Sequence, residues 1–444
     1  MENDSFVKLS RMDFASLIAV AIGLMLSSES LTLLGNNAGV VGTSFLIFIP
    51  AAVLLHLATA LSLGELKSSF PGPEGEVRFI RMALGPVPAI VLPIGARVLF
   101  TVCAATGILA TAGYVFNETF LYWFPNLGFS FCLLGLLVLI NLLGHRYAER
   151  TQIIFVSLAL LGLLILSIGG LSGWENAPLT SENANPSFFH IARAALLTPV
   201  LFLGYDLAGM TIEKMGTHPY DLVKAMVGGL LLVALIFYLW GVVSLKYVSP
   251  GKLAVTTIPY TMAAKAIMGQ NGRICMGIVI LSGAGAAVNA LFMSVSKMIA
   301  GMSAQGLLPS LLGTARNRAP IPLILLGIGT GAMMAVGMAG EPSLAVYIRA
   351  GIWLWLLNYA VIHLCVLIIR RRIPDKSKHI QILGYQVFPM VAFTVLIIIL
   401  FGLLWTDGES LFLIKSIFFI IAGLSLYGLL WVRFGSKLRD PLKN

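Results

Sequence analysis

Charged residues are scarce in this sequence, and no long polar segment interrupts it. Only 11% of the 444 residues are Asp, Glu, Lys or Arg, whereas 58% are hydrophobic. A soluble domain carries roughly 25% charged residues. The composition therefore excludes a soluble globular protein and predicts a membrane protein with no appended soluble domain.

Clusters of metal-ligating or nucleophilic side chains are also lacking. The cysteines stand singly, at Cys103, Cys132, Cys275 and Cys365, and the six histidines are scattered. A metalloenzyme needs converging ligands, and covalent catalysis needs a nucleophile beside a base. The sequence thus argues against an integral membrane enzyme and predicts neither a cofactor nor a metal. A channel is the other alternative, but repeated pore-lining polar rings are missing.

Apolar segments of membrane-spanning length are abundant. A helix of about 20 apolar residues crosses the hydrocarbon core. Twelve segments approach or exceed this length, at 14–34, 42–63, 88–116, 127–144, 152–171, 190–212, 222–245, 276–302, 320–339, 344–370, 385–405 and 411–432. Short strands of alternating hydrophobicity, typical of β-barrels, are absent. We therefore expect an all-α membrane protein with twelve transmembrane helices and an uncleaved first span.

The distribution of Lys and Arg predicts the orientation of these spans. With the N-terminus inside, the inner loops hold about three times as many basic residues as the outer side, as the positive-inside rule requires. Both termini are then cytoplasmic, in a cell membrane. The net charge of +10 is spread over many loops rather than gathered in one patch, which argues against a nucleic-acid partner. The run Arg370–Arg372 predicts contact with membrane lipids.

The first span contains a polar interruption, Ser27-Ser28-Glu29-Ser30. A carboxylate near the bilayer centre costs ~2.5 kcal/mol or more, so it normally faces protein or water. One interpretation is an unbroken helix whose polar stripe packs on its neighbours. The other is a broken helix whose freed backbone and Glu29 form a binding site at the membrane midplane.

The sixth span repeats this design. It contains Pro199, which removes a backbone hydrogen bond, two loosening glycines at Gly204 and Gly209, and a carboxylate at Asp206. Glu29 and Asp206 lie at matching depth in spans five apart, a pattern typical of an inverted repeat with two discontinuous helices. We expect five-helix repeats at 1–171 and 190–370, followed by two peripheral helices at 385–434.

The third span carries a basic residue, Arg97, inside its apolar run. A guanidinium stays charged, so within a membrane it must pair or reach the interface. Glu29 and Asp206 are the candidate partners. A structural ion pair and a direct substrate contact both remain open for this residue.

Three motifs resemble the amino acid–polyamine–organocation (APC) transporters. The end of span 2 and the next loop match at Glu65-Leu66, Pro71, Gly72, Gly75, Phe79 and Leu84-Gly85-Pro86. Phe202 through Asp206 resemble the family's helix 6 motif, and Asn289 through Pro309 resemble its helix 8 ending, with Lys297 where Arg is usual. The sequence departs from the family in two places. Glu74-Gly75-Glu76 replaces Gly-Gly-Tyr, and the serine-rich segment replaces a Gly-rich motif in helix 1.

The resemblance implies a LeuT-type fold and a secondary transporter that works by alternating access, with its site between spans 1, 3, 6, 8 and 10. On that basis the substrate-binding residues are expected to be Ser27, Ser28, Glu29, Ser30, Phe202, Gly204, Tyr205 and Asp206. Glu29, Arg97 and Asp206 are expected to serve ion coupling or an ion pair. Ala287 and Val288 stand about where sodium-coupled members have hydroxyls, so sodium is not expected, whereas protons or exchange are.

The acidic residue in span 1 bears on the substrate class. A fixed carboxylate at Glu29 would repel a substrate carboxylate unless it were protonated or paired with Arg97. The simplest expectation is an amine or polyamine whose ammonium is held by Glu29 and Asp206. A neutral amino acid permease is the alternative within the same class.

Overall fold

A computed structural model describes residues 11–70, 75–173, 186–211, 219–313, 321–372, 387–406 and 410–435. These ranges are helical and contain no strand. Ten helical stretches within them are long and apolar enough to cross a bilayer, and two shorter apolar helices, Phe14–Leu26 and Ile321–Ala335, accompany them. The predicted all-α membrane fold is confirmed.

The helices follow the chain in twelve spans. Span 1 comprises α1 (Arg11–Gly23) and α2 (Ser28–Val41), and span 2 is α3 (Phe45–Ser69). The short helix α4 (Gly75–Leu84) precedes span 3, which comprises α5 (Pro86–Pro93) and α6 (Phe100–Thr119). Spans 4 and 5 are α7 (Asn126–Leu143) and α8 (His145–Ser172), and span 6 comprises α9 (Phe188–Leu197) and α10 (Ala208–Thr211).

The second half continues in the same way. Span 7 is α11 (Pro219–Tyr247), which a short helix α12 (Pro250–Val255) separates from α13 (Pro259–Ala304). The helix α13 is kinked at Met268 and Gly269, where the backbone is not helical, and its part after the kink forms span 8. Spans 9 and 10 are α14 (Ile321–Ala335) and α15 (Pro342–Arg372). Spans 11 and 12 are α16 (Val387–Thr406) and α17 (Ser410–Leu430). Most observed ends lie within a few residues of the predicted ones, because an apolar run marks the part of a helix that lipid can surround.

Spans 1 and 6 are both broken, as the sequence predicts. In span 1 the helical path stops at Ser27, which is extended at φ −64° and ψ 156°. In span 6 it stops at Leu203, also extended, and at Gly204, which is left-handed at φ +106°. Breaks in two spans that are five apart match the LeuT-type inverted repeat.

Span 8 forms much of the buried centre. Its helix α13 packs against α8 and α6 and also contacts the end of the first half of span 1. The contact with span 1 is very close, because a Cβ built on Gly283 would lie 2.1 Å from the carbonyl oxygen of Leu26. Small residues let backbones approach in this way. The break of span 1 therefore packs directly against span 8.

Some sequence features named above fall outside the described residues. Pro71, Gly72 and Glu74 of the loop motif are among them. In the basic run, Arg370 is buried and its guanidinium makes a bidentate pair with Glu65, with nitrogen–oxygen distances of 2.6 and 2.5 Å. This pair joins spans 2 and 10, so only Arg371 and Arg372 are exposed at the predicted lipid-facing position.

Candidate functional site

A cavity of about 310 Å³ lies beside the break of span 1. Spans 1, 3, 6, 10, 11 and 12 contribute to its walls. The lining side chains are mainly apolar; the polar and charged ones among them are Ser27, Glu29, Ser30, Arg193, Arg349 and Thr406. Because α9, α15 and α17 begin near the cavity, it extends from the break toward the side that the charge distribution predicts to be external.

Glu29 is the acidic residue of this cavity. It occupies the first turn of α2, where a carboxylate is favoured by the helix dipole and by unpaired backbone N–H groups. Ser28 Oγ donates a hydrogen bond to Glu29 Oε2 at 3.0 Å, and Ser27 Oγ accepts one from the Ser30 amide at 3.4 Å. The serine-rich segment therefore caps the second half of span 1 and positions one carboxylate at the cavity wall.

Asp206 lies in a separate, buried cluster beside the break of span 6. It forms an ion pair with Arg97, whose side chain is fully buried, and Asp206 Oδ1 accepts a hydrogen bond of 2.7 Å from the hydroxyl of Tyr359. Arg97 also pairs with Glu76, with 3.3 Å between Nη2 and Oε2. Of the two partners predicted for Arg97, the structure selects Asp206 and not Glu29, and it adds Glu76.

The position of Arg97 follows from an irregular turn in span 3. Residues Ile94–Leu99 form a π-helical turn after Pro93, and such turns occur frequently at functional sites. The guanidinium carbon stacks 3.9 Å from the centre of the Trp355 ring. An aromatic face and two carboxylates together stabilise a cation that lipid could not.

Aromatic residues connect this cluster to span 2. His56 Nε2 donates a 2.8 Å hydrogen bond to the carbonyl of Pro199, and its Nδ1 lies 3.4 Å from the hydroxyl of Tyr205. The rings of Tyr205 and Tyr359 are 5.6 Å apart. The carbonyl of Pro199, close to the break of span 6, is thus bonded by a side chain, as the backbone of a broken helix in a membrane requires.

The predicted binding residues are divided between the cavity and the cluster. Ser27, Glu29 and Ser30 line the cavity, whereas Ser28 is buried behind it. The predicted residues of span 6 are buried and do not line the cavity, namely Phe202, Gly204, Tyr205 and Asp206. Their neighbour Leu203, which was not predicted, does line it.

Several contributors escaped the sequence-based prediction, among them the cavity residues Arg193 and Arg349. The sequence marks Glu76 only as a departure from the loop motif, whereas the structure places its carboxylate beside Arg97. Spans 11 and 12, expected to be peripheral, supply Leu403, Thr406 and Leu413 to the cavity wall. The available signal for Glu76 is a carboxylate in a ten-residue amphipathic helix. This signal does not give the depth of the Glu76 side chain, because that depends on how α4 folds back onto the bundle.

Among the described residues, no group of three or more His, Cys, Asp or Glu side chains could hold a metal ion.

A model of the amino acid permease family matches residues 12–433 of the chain. The branched-chain amino acid permease BcaP of Bacillus subtilis (strain 168) is 22% identical over 452 aligned residues, covering 96% of this chain and 93% of that protein. The inner membrane transport protein YbaT of Escherichia coli (strain K12) is 21% identical over 341 residues, covering 74% of this chain and 78% of that protein.

Solved transporter structures share the fold. MhsT in complex with L-phenylalanine superposes with a TM-score of 0.62 at 15% identity, covering 89% of this chain and 98% of that one. The manganese transporter of Eremococcus coleocola gives 0.61 at 12% identity, covering 98% and 97%. At these identities the likeness establishes a LeuT-type fold and says nothing about the ligand.

Proposed function

The chain belongs to the amino acid permease family, and from that premise we propose that it carries a small amine-bearing molecule across a membrane by alternating access. It is a secondary transporter and not an enzyme. The proposed substrate has an ammonium group and a compact apolar body. The observation that carries this proposal is Glu29, the acidic residue of a largely apolar cavity.

Glu29 suits an ammonium group by charge and by position. A charge-assisted hydrogen bond to a carboxylate is roughly twice as strong as a neutral one. Ser27 and Ser30 supply additional oxygens on the same wall of the cavity. Asp206, the second carboxylate expected to hold the amine, is already paired with Arg97. The proposal therefore assigns the ammonium to Glu29 alone.

An amino acid is the second candidate substrate, and two observations favour it. Arg193 and Arg349 belong to the cavity lining and could attract a substrate carboxylate. The name of one relative specifies branched-chain amino acids. In this alternative the ammonium still binds Glu29 while the apolar walls accept the side chain.

The orientation and the coupling ion belong to the same proposal. Both termini are assigned to the cytoplasm of a cell membrane because of the basic inner loops. Sodium coupling is disfavoured because Ala287 and Val288, which carry no side-chain oxygen, are buried on span 8, where a hard cation would need oxygen ligands. Protons or substrate exchange are the proposed alternatives.

Counterflow in proteoliposomes tests the proposed function. Liposomes containing the purified protein are loaded with unlabelled substrate and then exposed to the same labelled compound, using a set of amines and neutral amino acids. We expect saturable uptake that internal substrate accelerates, with equal rates in sodium and choline buffers. Linear, non-saturable flux would indicate a channel, and chemical conversion of the compound would indicate an enzyme. A strict sodium requirement would contradict the coupling proposal only.

A further inference from the structure

Three charged side chains meet in the interior of the protein without balancing one another. Arg97, Glu76 and Asp206 have side chains that are at most 2% exposed. They carry one positive and two negative charges when all are ionised. A buried charge without compensation is strongly unfavourable, and such a group is normally neutralised.

Both carboxylates contact the same nitrogen of the guanidinium. Arg97 Nη2 lies 3.4 and 3.3 Å from the two oxygens of Glu76 and is also the atom that pairs with Asp206. The carboxylates are therefore close to each other as well as to the cation. Two carboxylates that share a site in this way repel each other when both are ionised.

Within the described residues, the groups other than Arg97 that contact these two carboxylates are neutral hydrogen-bond donors. Asn358 Nδ2 donates to Glu76 Oε1 at 2.5 Å, and the hydroxyl of Tyr359 donates to Asp206. The other charged side chains of span 2 have partners of their own, since Glu65 pairs with Arg370 and Lys67 donates to the carbonyl of Gly209 at 3.0 Å. The titratable neighbours Tyr205, His56 and Cys365 complete the surroundings.

We propose that Glu76 and Asp206 form a proton-binding site in which a single proton is held between two carboxylates that share Arg97. The proposal deepens the proposed transport function, on which it rests, by naming the coupling ion and the residues that bind it. The chemistry is one protonation: an O–H bond forms on a carboxylate oxygen with a proton from water, and it breaks when the proton leaves.

The location of the three residues gives this proton a means of acting on transport. Asp206 belongs to the break of span 6, whereas Arg97 belongs to span 3 and Glu76 to α4. Alternating access moves one group of helices against the other. When span 6 separates from span 3, a proton on Asp206 neutralises it while Glu76 keeps Arg97 paired. Arg97 Nε and Nη1 donate no hydrogen bond within the described residues, so they can donate to Glu76 in the new arrangement.

Infrared spectroscopy of the purified, full-length protein tests the site directly, because a protonated carboxyl group has a carbonyl absorption that a carboxylate lacks. The spectra of wild type, Glu76→Gln and Asp206→Asn are compared across a pH series. Removing either carboxylate leaves one carboxylate and one guanidinium, which balance, so both variants should lose the same absorption band. Glu118→Gln, a change at an exposed glutamate, should leave the band in place, and so should Glu76→Asp.

Three results would overturn the shared proton: a band lost in Asp206→Asn but kept in Glu76→Gln, a band kept in both variants, or no such band in wild type. If one variant does not fold, the other still decides between loss and retention. A counterflow assay separates this proposal from the proposed function. If the wild-type protein exchanges substrate but shows no band, the proposed transport function stands and the proton site is ruled out. If it shows the band but transports nothing, the proton site stands and the proposed transport function is ruled out.

Discussion

At the scale of single residues, Gly204 shows how one position makes the break of span 6 fit against span 1. Its backbone is left-handed at φ +106°, a conformation that costs an L-residue about 1–2 kcal/mol. A Cβ on this residue would also lie 2.6 Å from Cβ of Leu24, in the first span. Glycine is therefore required for both the turn and the contact between the two broken helices.

Gly204→Ala should lower stability by at least about 2 kcal/mol, because strain and overpacking act together. The matched control is Gly228→Ala on α11, where a Cβ would meet nothing within 4 Å and the helical backbone favours alanine. Thermal unfolding of the purified variants checks this. Equal melting temperatures for the two variants would show that the contact with Leu24 relaxes at little cost.

At the scale of elements, a chain of amide side chains ties span 1 to three other spans. Asn141 on span 4 donates to Asn289 on span 8 at 2.7 Å, and Asn289 donates to Gln152 on span 5 at 2.8 Å. Gln152 in turn donates to the carbonyl of Ala19 in α1 at 3.1 Å. The first half of span 1 is thereby fastened to the rest of the bundle by hydrogen bonds rather than by apolar packing alone.

Gln152→Leu should loosen α1 selectively. The change removes two buried hydrogen bonds, at a cost of ~1–3 kcal/mol, and leaves Asn289 Nδ2 with the carbonyl of Ala148 as its remaining acceptor. Amide hydrogens of residues 14–26 should then exchange roughly tenfold faster or more, while those of α2 keep their protection. Thr394→Val, which removes an exposed hydroxyl bonded within its own helix, is the control. Unchanged exchange in α1 would show that packing alone holds it.

At the scale of the whole molecule, the fold was predictable because a short stretch of sequence is enough to indicate each span and each break. Apolar length marks a span, and a carboxylate among small or proline residues marks a break. The partners within the site were not predictable in the same way. Glu76 comes from a loop helix whose depth depends on the assembled bundle. Spans 11 and 12 reach the cavity through their packing on helices distant in sequence, among them α15, α9 and α5.

Glu29 is proposed to be the residue through which this transporter recognises an ammonium group. Binding isotherms of one diamine and one neutral amino acid, 1,4-diaminobutane and leucine, should be measured on wild type, Glu29→Gln and the control Glu118→Gln. Loss of a charge-assisted hydrogen bond is worth ~1.5–3 kcal/mol, so Glu29→Gln should weaken diamine binding by roughly 10- to 100-fold while the control keeps wild-type affinity. Tight leucine binding that Glu29→Gln leaves intact, with no measurable diamine binding to wild type, would contradict the claim.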